Sequence, residues 1–301
     1  MTDLLGCTVE VQLGNLPNGT SFYIPADQAE RAAIAVGMDV TQYLAALLSL
    51  APQFSRPAIS KFPVGALAMG IPKTRLGFGN IYFGASFEVL GEVLTVVVHG
   101  EQSAIQNAWS HGETAIKYLA INAAPCGYCR QFLWEVSPQP VEMQILLTID
   151  GDPANFNLYP LPELLPVAFG PAELKKTRSL LIPQTNHITT TSTDPLVIAA
   201  IAAADTSYAP YTATYAGVAI QTSQGQVTTG RYAENAAYNP SMSPMMGALS
   251  QLNLSMSPAA PLDLARVVLA VKPSGVNMRA ECEAIVAALA PNVTLEVIEL
   301  N

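Results

Sequence analysis

Residues 122–136 read NAAPCGYCRQFLWEV and hold two of the chain's four cysteines, Cys126 and Cys129, three positions apart. The apolar run TAIKYLAINAA that leads into them reads as a strand, and CRQFLWEV as a helix, so Pro125-Cys126 marks a strand-to-helix junction. A Cys-x-x-Cys pair can be a redox dithiol, half of a structural zinc knuckle, or two ligands of a catalytic metal. Residues elsewhere in the chain must choose among these.

Upstream, VVVHGEQSAI (96–105) repeats the same local pattern. An apolar strand ends at His99, and a helix with Ala104, Ile105, Ala108 and Trp109 at helical spacing opens just after it. Two helix N-termini can therefore converge on one point, where their partial positive charge favours thiolates. One imidazole and two thiolates suit zinc with a fourth position left open. A structural knuckle wants four protein ligands, and no second Cys-x-x-Cys or His pair exists to close one. A redox dithiol has no use for His99. Glu101, two residues from His99, can face a water in the open position without ligating the metal, which places it as a proton shuttle. One zinc per chain is expected, held by His99, Cys126 and Cys129.

Composition narrows the partners. Of 301 residues, half are apolar and only 12% charged, which describes a well-buried globule. Net charge is −9 and no run of Lys or Arg appears, so nucleic acid is an unsuitable partner and a small neutral substrate fits better. No apolar run reaches bilayer-spanning length and no signal peptide is evident, so a cytoplasmic, membrane-free protein is expected. The sparse cysteines do not form a disulfide scaffold.

Strands alternating with helices predict an α/β fold, a sheet covered by helices on its faces in three layers, α/β/α. The N-terminal CTVEVQL alternates like a strand, and PADQAERAAIAVGM and VTQYLAALLSLAP read as helices, giving a mainly helical segment over 1–53. A catalytic unit follows over 54–150, then a proline-rich ordered connector over 151–192, then a second α/β unit over 193–301. The two units share an order of parts. Pro57/Phe62 matches Pro210/Tyr215, and Glu88 after the first hairpin matches Glu234 after the second, which reads as an internal duplication. Aligning Gly247-Ala248-Leu249 with Gln102-Ser103-Ala104 puts Pro244 and Met246 at the positions of His99 and Glu101. No cysteine pair follows, so the second copy is expected to bind no zinc. His111 and His187 lack ligand-type partners and read as surface or loop residues.

H-x-E followed by P-C-x-x-C is a signature of zinc nucleobase deaminases. With HGEQSAIQNAW, AAPCGYCRQFLWEV, LLPVAFGP and YAENAAYNPSMSPMMGAL all in order, the sequence resembles the cytidine deaminase family, in its longer homodimeric branch. The resemblance runs from about Phe54 to the C-terminus. It implies a small-molecule nucleoside substrate and a catalytic domain followed by a degenerate deaminase-like domain. The implied chemistry is hydrolytic deamination of cytidine and deoxycytidine in pyrimidine salvage, with zinc hydroxide attacking C4 and Glu101 moving the proton. It also implies that Phe62 stacks on the base, Glu88 accepts a ribose hydroxyl, and the Gly100 N–H and Ala124 carbonyl bracket the base's polar edge. Phe169 would enter the pocket of the partner subunit of a homodimer.

Three positions depart from the family's pattern. Ser86 stands in SFE where the ribose motif is usually Asn-x-Glu, Gly100 replaces the usual Ala, and Ala123 stands where an aromatic can occur. They lie beside sugar and base rather than metal. The same chemistry on an N4- or ring-substituted cytosine nucleoside, or another aminated heterocycle, is therefore the nearest alternative. A non-catalytic nucleoside-binding relative is a third reading, opposed by the intact set His99, Glu101, Cys126 and Cys129.

Overall fold

The computed structural model describes residues 22–136, 142–177, 179–258 and 260–301. The CTVEVQL stretch lies outside the described residues. The described chain opens with β1 (Tyr23–Ile24), α1 (Ala26–Ala35) and α2 (Val40–Leu48). Gly37 sits between the helices at φ +68, a left-handed position that a side chain resists. Asp39 then caps α2, accepting from the Gln42 N–H while the Gln42 side chain bonds back to the Asp39 N–H.

The first sheet unit comprises β2 (Gly65–Gly70), β3 (Ile81–Ala85), the short pair β4 (Phe87–Glu88) and β5 (Val97–Val98), α3 (Gly100–Ser110), β6 (Ile116–Ile121), α4 (Gly127–Trp134) and β7 (Gln144–Ile149). Next come β8 (Asp152–Pro160) and the single turn α5 (Leu161–Leu164). The second unit is α6 (Pro195–Asp205), β9 (Ala216–Gln221), β10 (Val227–Arg231), α7 (Pro244–Leu254), β11 (Arg266–Val271), α8 (Met278–Leu289) and β12 (Leu295–Glu299).

The strand orders demonstrate the duplication. The larger sheet runs β1-β3-β2-β6-β7-β8 and the smaller β10-β9-β11-β12. In each, the inner hairpin is antiparallel, its first strand pairs antiparallel with the next, and the last pair of the shared four is parallel. The larger sheet adds β1 at one edge and β8 at the other. That second addition lies inside the ordered connector read over 151–192: Pro153 and Pro160 stand within a nine-residue strand antiparallel to β7. Proline is tolerated there because β8 is an edge strand.

The register between copies also differs from expectation. Arg56 bridges Phe87, and Tyr208 bridges Ala233, so Ala58 rather than Pro57 corresponds to Pro210, and Phe62 corresponds to Thr214 rather than Tyr215. His99 precedes α3 as its N-cap, and Ser243 precedes α7 in the same role. The Ser103 N–H reaches the His99 carbonyl as the Gly247 N–H reaches that of Ser243. The positions of His99 and Glu101 are therefore filled by Ser243 and Met245, not Pro244 and Met246. Proline at N1 lacks an N–H that the first turn does not need, so α7 begins three residues before the apolar pattern suggests.

The two copies meet through α3 and α7. Ser103 Oγ lies 2.8 Å from Ser250 Oγ, and Asn253 donates to the Phe54 carbonyl. One apolar cluster includes Ala104, Ile105 and Trp109 of the first copy with Tyr208, Ala233 and Met242 of the second. Among the described residues, no single helix is long and apolar enough to cross a membrane.

Candidate functional site

The site forms where the C-terminal ends of β5 and β6 meet the N-termini of α3 and α4. His99 caps α3 in extended conformation, and Cys126 does the same for α4. His99 Nδ1 lies 3.7 Å from Cys126 Sγ, and one ligand atom from each of His99, Cys126 and Cys129 falls within 4.8 Å of the others. Around a tetrahedral zinc, a thiolate at about 2.3 Å and an imidazole nitrogen at about 2.0 Å stand roughly 3.5 Å apart. The donor set and its spacing fit that ion. Among the described residues, no fourth His, Cys, Asp or Glu joins this group, so the site has the three-ligand form in which the fourth position serves chemistry.

The electrostatics agree. A hydrogen bond from Cys129, aided by His99, pulls the half-exposed Cys126 thiol down to about 3. Its partner Cys129, buried and holding the proton of that bond, is pushed well up. Burial works to lower His99, but the Cys126 sulfur beside it raises it. Glu101 is almost wholly enclosed, and burial raises its carboxyl above the ordinary range. A carboxyl so held can both take up and return a proton.

In front of this cluster lies a cavity of about 240 Å³, lined by Phe62, Ser86, Glu88, Gly100, Ala123 and Ala124 together with His99, Glu101 and Cys126. All the sequence-selected residues except Cys129, buried behind the wall, and Phe169 are thus brought to one cavity. Phe62 is 59% exposed at its mouth. Glu88 is opposed by burial but lowered by the Ser60 and Ile59 groups that donate to it, at 2.9 Å and 2.6 Å from the main chain. Its Oε2 therefore fastens the loop that carries Phe62. The second copy keeps this device: Glu234 Oε2 accepts from the N–H groups of Tyr211 and Thr212.

Ser86 does not present a free hydroxyl. Its Oγ lies 2.6 Å from Ser55 Oγ and accepts from the Val64 N–H at 3.3 Å. A methyl at Gly100 would sit 3.2 Å from Val64 Cγ1, so the glycine is accommodated by packing against the cavity wall. Phe169 is 44% exposed on the chain's surface, its carbonyl accepting from Gln131. His111 is not the loose surface residue expected. It closes α3, bonds the Asn107 carbonyl and packs against Tyr23 and Tyr82. The cavity also uses Ser60, Val64, Val97, Val98 and Ile121, which no motif marked.

Residues 38–144, and again residues 161–283, match the family described as the cytidine and deoxycytidylate deaminase zinc-binding region. A cytidine deaminase of Shewanella halifaxensis is 44% identical over 235 residues, which cover 76% of this chain and 73% of that protein. One from Aeromonas hydrophila subsp. hydrophila is 46% identical over 220 residues, covering 73% and 70%. The chain belongs to the cytidine deaminase family. Membership accounts for both sheets, since the family's zinc-binding region is matched once by each copy; among the described residues, the His-Cys-Cys set lies in the first.

Proposed function

We propose that this chain catalyses zinc-dependent hydrolytic deamination of cytidine and deoxycytidine, taking up water and releasing uridine or deoxyuridine and ammonia. The observation that carries the reading is the convergence of His99, Cys126 and Cys129 with enclosed Glu101 at one cavity. Zinc held by the three ligands supplies the Lewis acidity that makes water nucleophilic near neutral pH. The chain's own groups do the rest. Glu101 takes a proton from the attacking water and delivers it to N3 of the base, then takes the remaining hydroxyl proton and passes it to the departing amine. Phe62 stacks on the ring, the Gly100 N–H and Ala124 carbonyl hold its polar edge, and Glu88 accepts a sugar hydroxyl through the oxygen not bonded to the loop.

Ser86 favours a second reading of the substrate. With its hydroxyl engaged by Ser55 and Val64, and with small Ala123 in the same lining, the wall grips the nucleoside mainly through Glu88. Substituted cytosine nucleosides are then candidates alongside the parent pair. A panel of cytidine, deoxycytidine, N4- and ring-substituted cytidines and free cytosine, followed by ultraviolet absorbance, decides. Turnover of cytidine or deoxycytidine is expected. Failure of both, with turnover of a substituted nucleoside, gives the second reading precedence.

The functional division proposed is a live copy over 54–150 and a scaffolding copy over 193–301 that holds no zinc, joined by 151–192. Ser243 and Met245 at the positions of His99 and Glu101 support it. We further propose a cytoplasmic homodimer in which Phe169 completes the partner's pocket. Exposed Val167 and Phe169 offer an apolar contact. Phe169→Ala is expected to lower kcat/KM by about tenfold or more, since a stacked aromatic that excludes water contributes on the order of 1–3 kcal/mol, while the melting temperature moves little. Unchanged kinetics would remove Phe169 from the pocket.

A further inference from the structure

Tyr128, between the two cysteine ligands, is not used by the chemistry above, yet its ring lies against a ligand. The Tyr128 and His99 ring centroids are 5.3 Å apart with planes only 18° from parallel. Nδ1 of His99 faces Cys126. Metal-binding histidines are commonly oriented by outer partners of the ring. Here a flat aromatic face stands beside the imidazole.

A second side chain, Gln102, is buried on the first turn of α3 and holds the His99 main chain. The Gln102 side-chain oxygen accepts from the His99 main-chain N–H at 3.2 Å, and its amide nitrogen donates to the Pro240 carbonyl at 3.4 Å. A carbonyl can only accept and a main-chain N–H can only donate, so these two contacts fix which way the amide points. Gln102 thus holds the main chain of His99, while the Tyr128 ring stacks on its side chain, and Gln102 is braced by the second copy.

We propose that Tyr128 and Gln102 are positioning residues for His99: the stacked ring sets the imidazole plane, and the amide, anchored on Pro240, sets the His99 backbone. This rests on the zinc-site reading but not on the identity of the substrate. It also gives the second copy a defined task, since its Pro240 carbonyl is part of the bracket.

Zinc affinity of the purified full-length protein, by competition with a chromophoric chelator, tests the proposal. Loss of an outer partner of a metal ligand typically weakens binding by about 10- to 100-fold. Tyr128→Phe keeps the ring and is expected to stay within about threefold of the parent, whereas Tyr128→Leu and Gln102→Leu lose about tenfold or more. Cobalt-substituted protein adds a readout that stability alone does not move: the ligand-field spectrum is expected to shift in the two leucine variants and not in Tyr128→Phe. Ser250→Ala, which removes a contact between copies away from the ligands, serves as a folding control with zinc affinity unchanged. Tyr128→Leu with parental affinity and spectrum overturns the proposal, as does Tyr128→Phe losing as much as Tyr128→Leu. If the parent itself binds no zinc, the zinc-site reading fails, a result distinct from either.

Discussion

Glu101→Gln leaves a folded protein with about one zinc per chain and removes nearly all turnover. The amide has almost the shape of the carboxyl, so the enclosed pocket beneath the cavity is filled as before. His99, Cys126 and Cys129 are untouched. What disappears is the carboxyl beside the ligand cluster that accepts a proton from water and delivers it to the base, since an amide cannot cycle a proton. A positioned acid-base group is worth on the order of 10²–10⁴ in rate, and one that serves both the ring nitrogen and the leaving amine belongs at the upper end. A fall in kcat of roughly 1,000- to 10,000-fold is therefore expected, about 4–5.5 kcal/mol of barrier. KM should change far less, because Glu88 and Phe62 remain. Steady-state kinetics with metal analysis on the same sample checks this. Retained activity would remove Glu101 from its role, and zinc near two per chain would contradict the single live copy.

The metal centre was legible because its evidence is local. His99 and Glu101 lie within one three-residue span, Cys126 and Cys129 within four, and each span sits where a strand-like run meets a helix-like one. The cavity lining was legible only in part. Ser60, Val64 and Ile121 reach it by the folding of a loop and two strand ends, and their residue types carry no chemical mark. The register of the second copy was misjudged by one residue because the helix pattern GALSQLNL begins after the helix does. Pro244, Met245 and Met246 form a first turn with no periodic signal. β8 was missed for a related reason: an exposed edge strand with proline at its second and last positions shows neither clean alternation nor an apolar run. His111 misled because its role depends on Tyr23, far away in sequence. Long-range partners are what a single sequence reports least.

Gly84→Ala should cost more stability than any comparable surface change, and Gly230→Ala should cost nearly as much. Each glycine lies on the inner hairpin of its copy, beneath the helix that crosses it. A Cβ on Gly84 would stand 2.2 Å from the Ala104 N and 2.5 Å from the Gly100 O. One on Gly230 would stand 2.2 Å from the Ala248 N and 2.1 Å from the Pro244 O. These are main-chain atoms, so no side chain can rotate away, and the whole helix must lift. Overpacking a core costs about 1–3 kcal/mol even where side chains adjust, so a loss of at least about 3 kcal/mol is expected here. For a chain of this size that lowers the melting temperature by roughly 6–12 °C. Gly127→Ala is the control, since nothing lies within 4 Å of its added methyl, and its melting temperature should be unchanged. The two core variants should nonetheless differ in catalysis. Lifting α3 displaces His99 and Glu101 directly, so whatever Gly84→Ala protein remains folded should have impaired zinc affinity. Lifting α7 disturbs the site only through the contact between helices, so Gly230→Ala protein that remains folded should keep most of its zinc. Thermal melts and zinc competition on both variants separate the copy that holds the metal from the copy that supports it; equal loss of zinc in the two would show that the second copy shapes the site as strongly as the first.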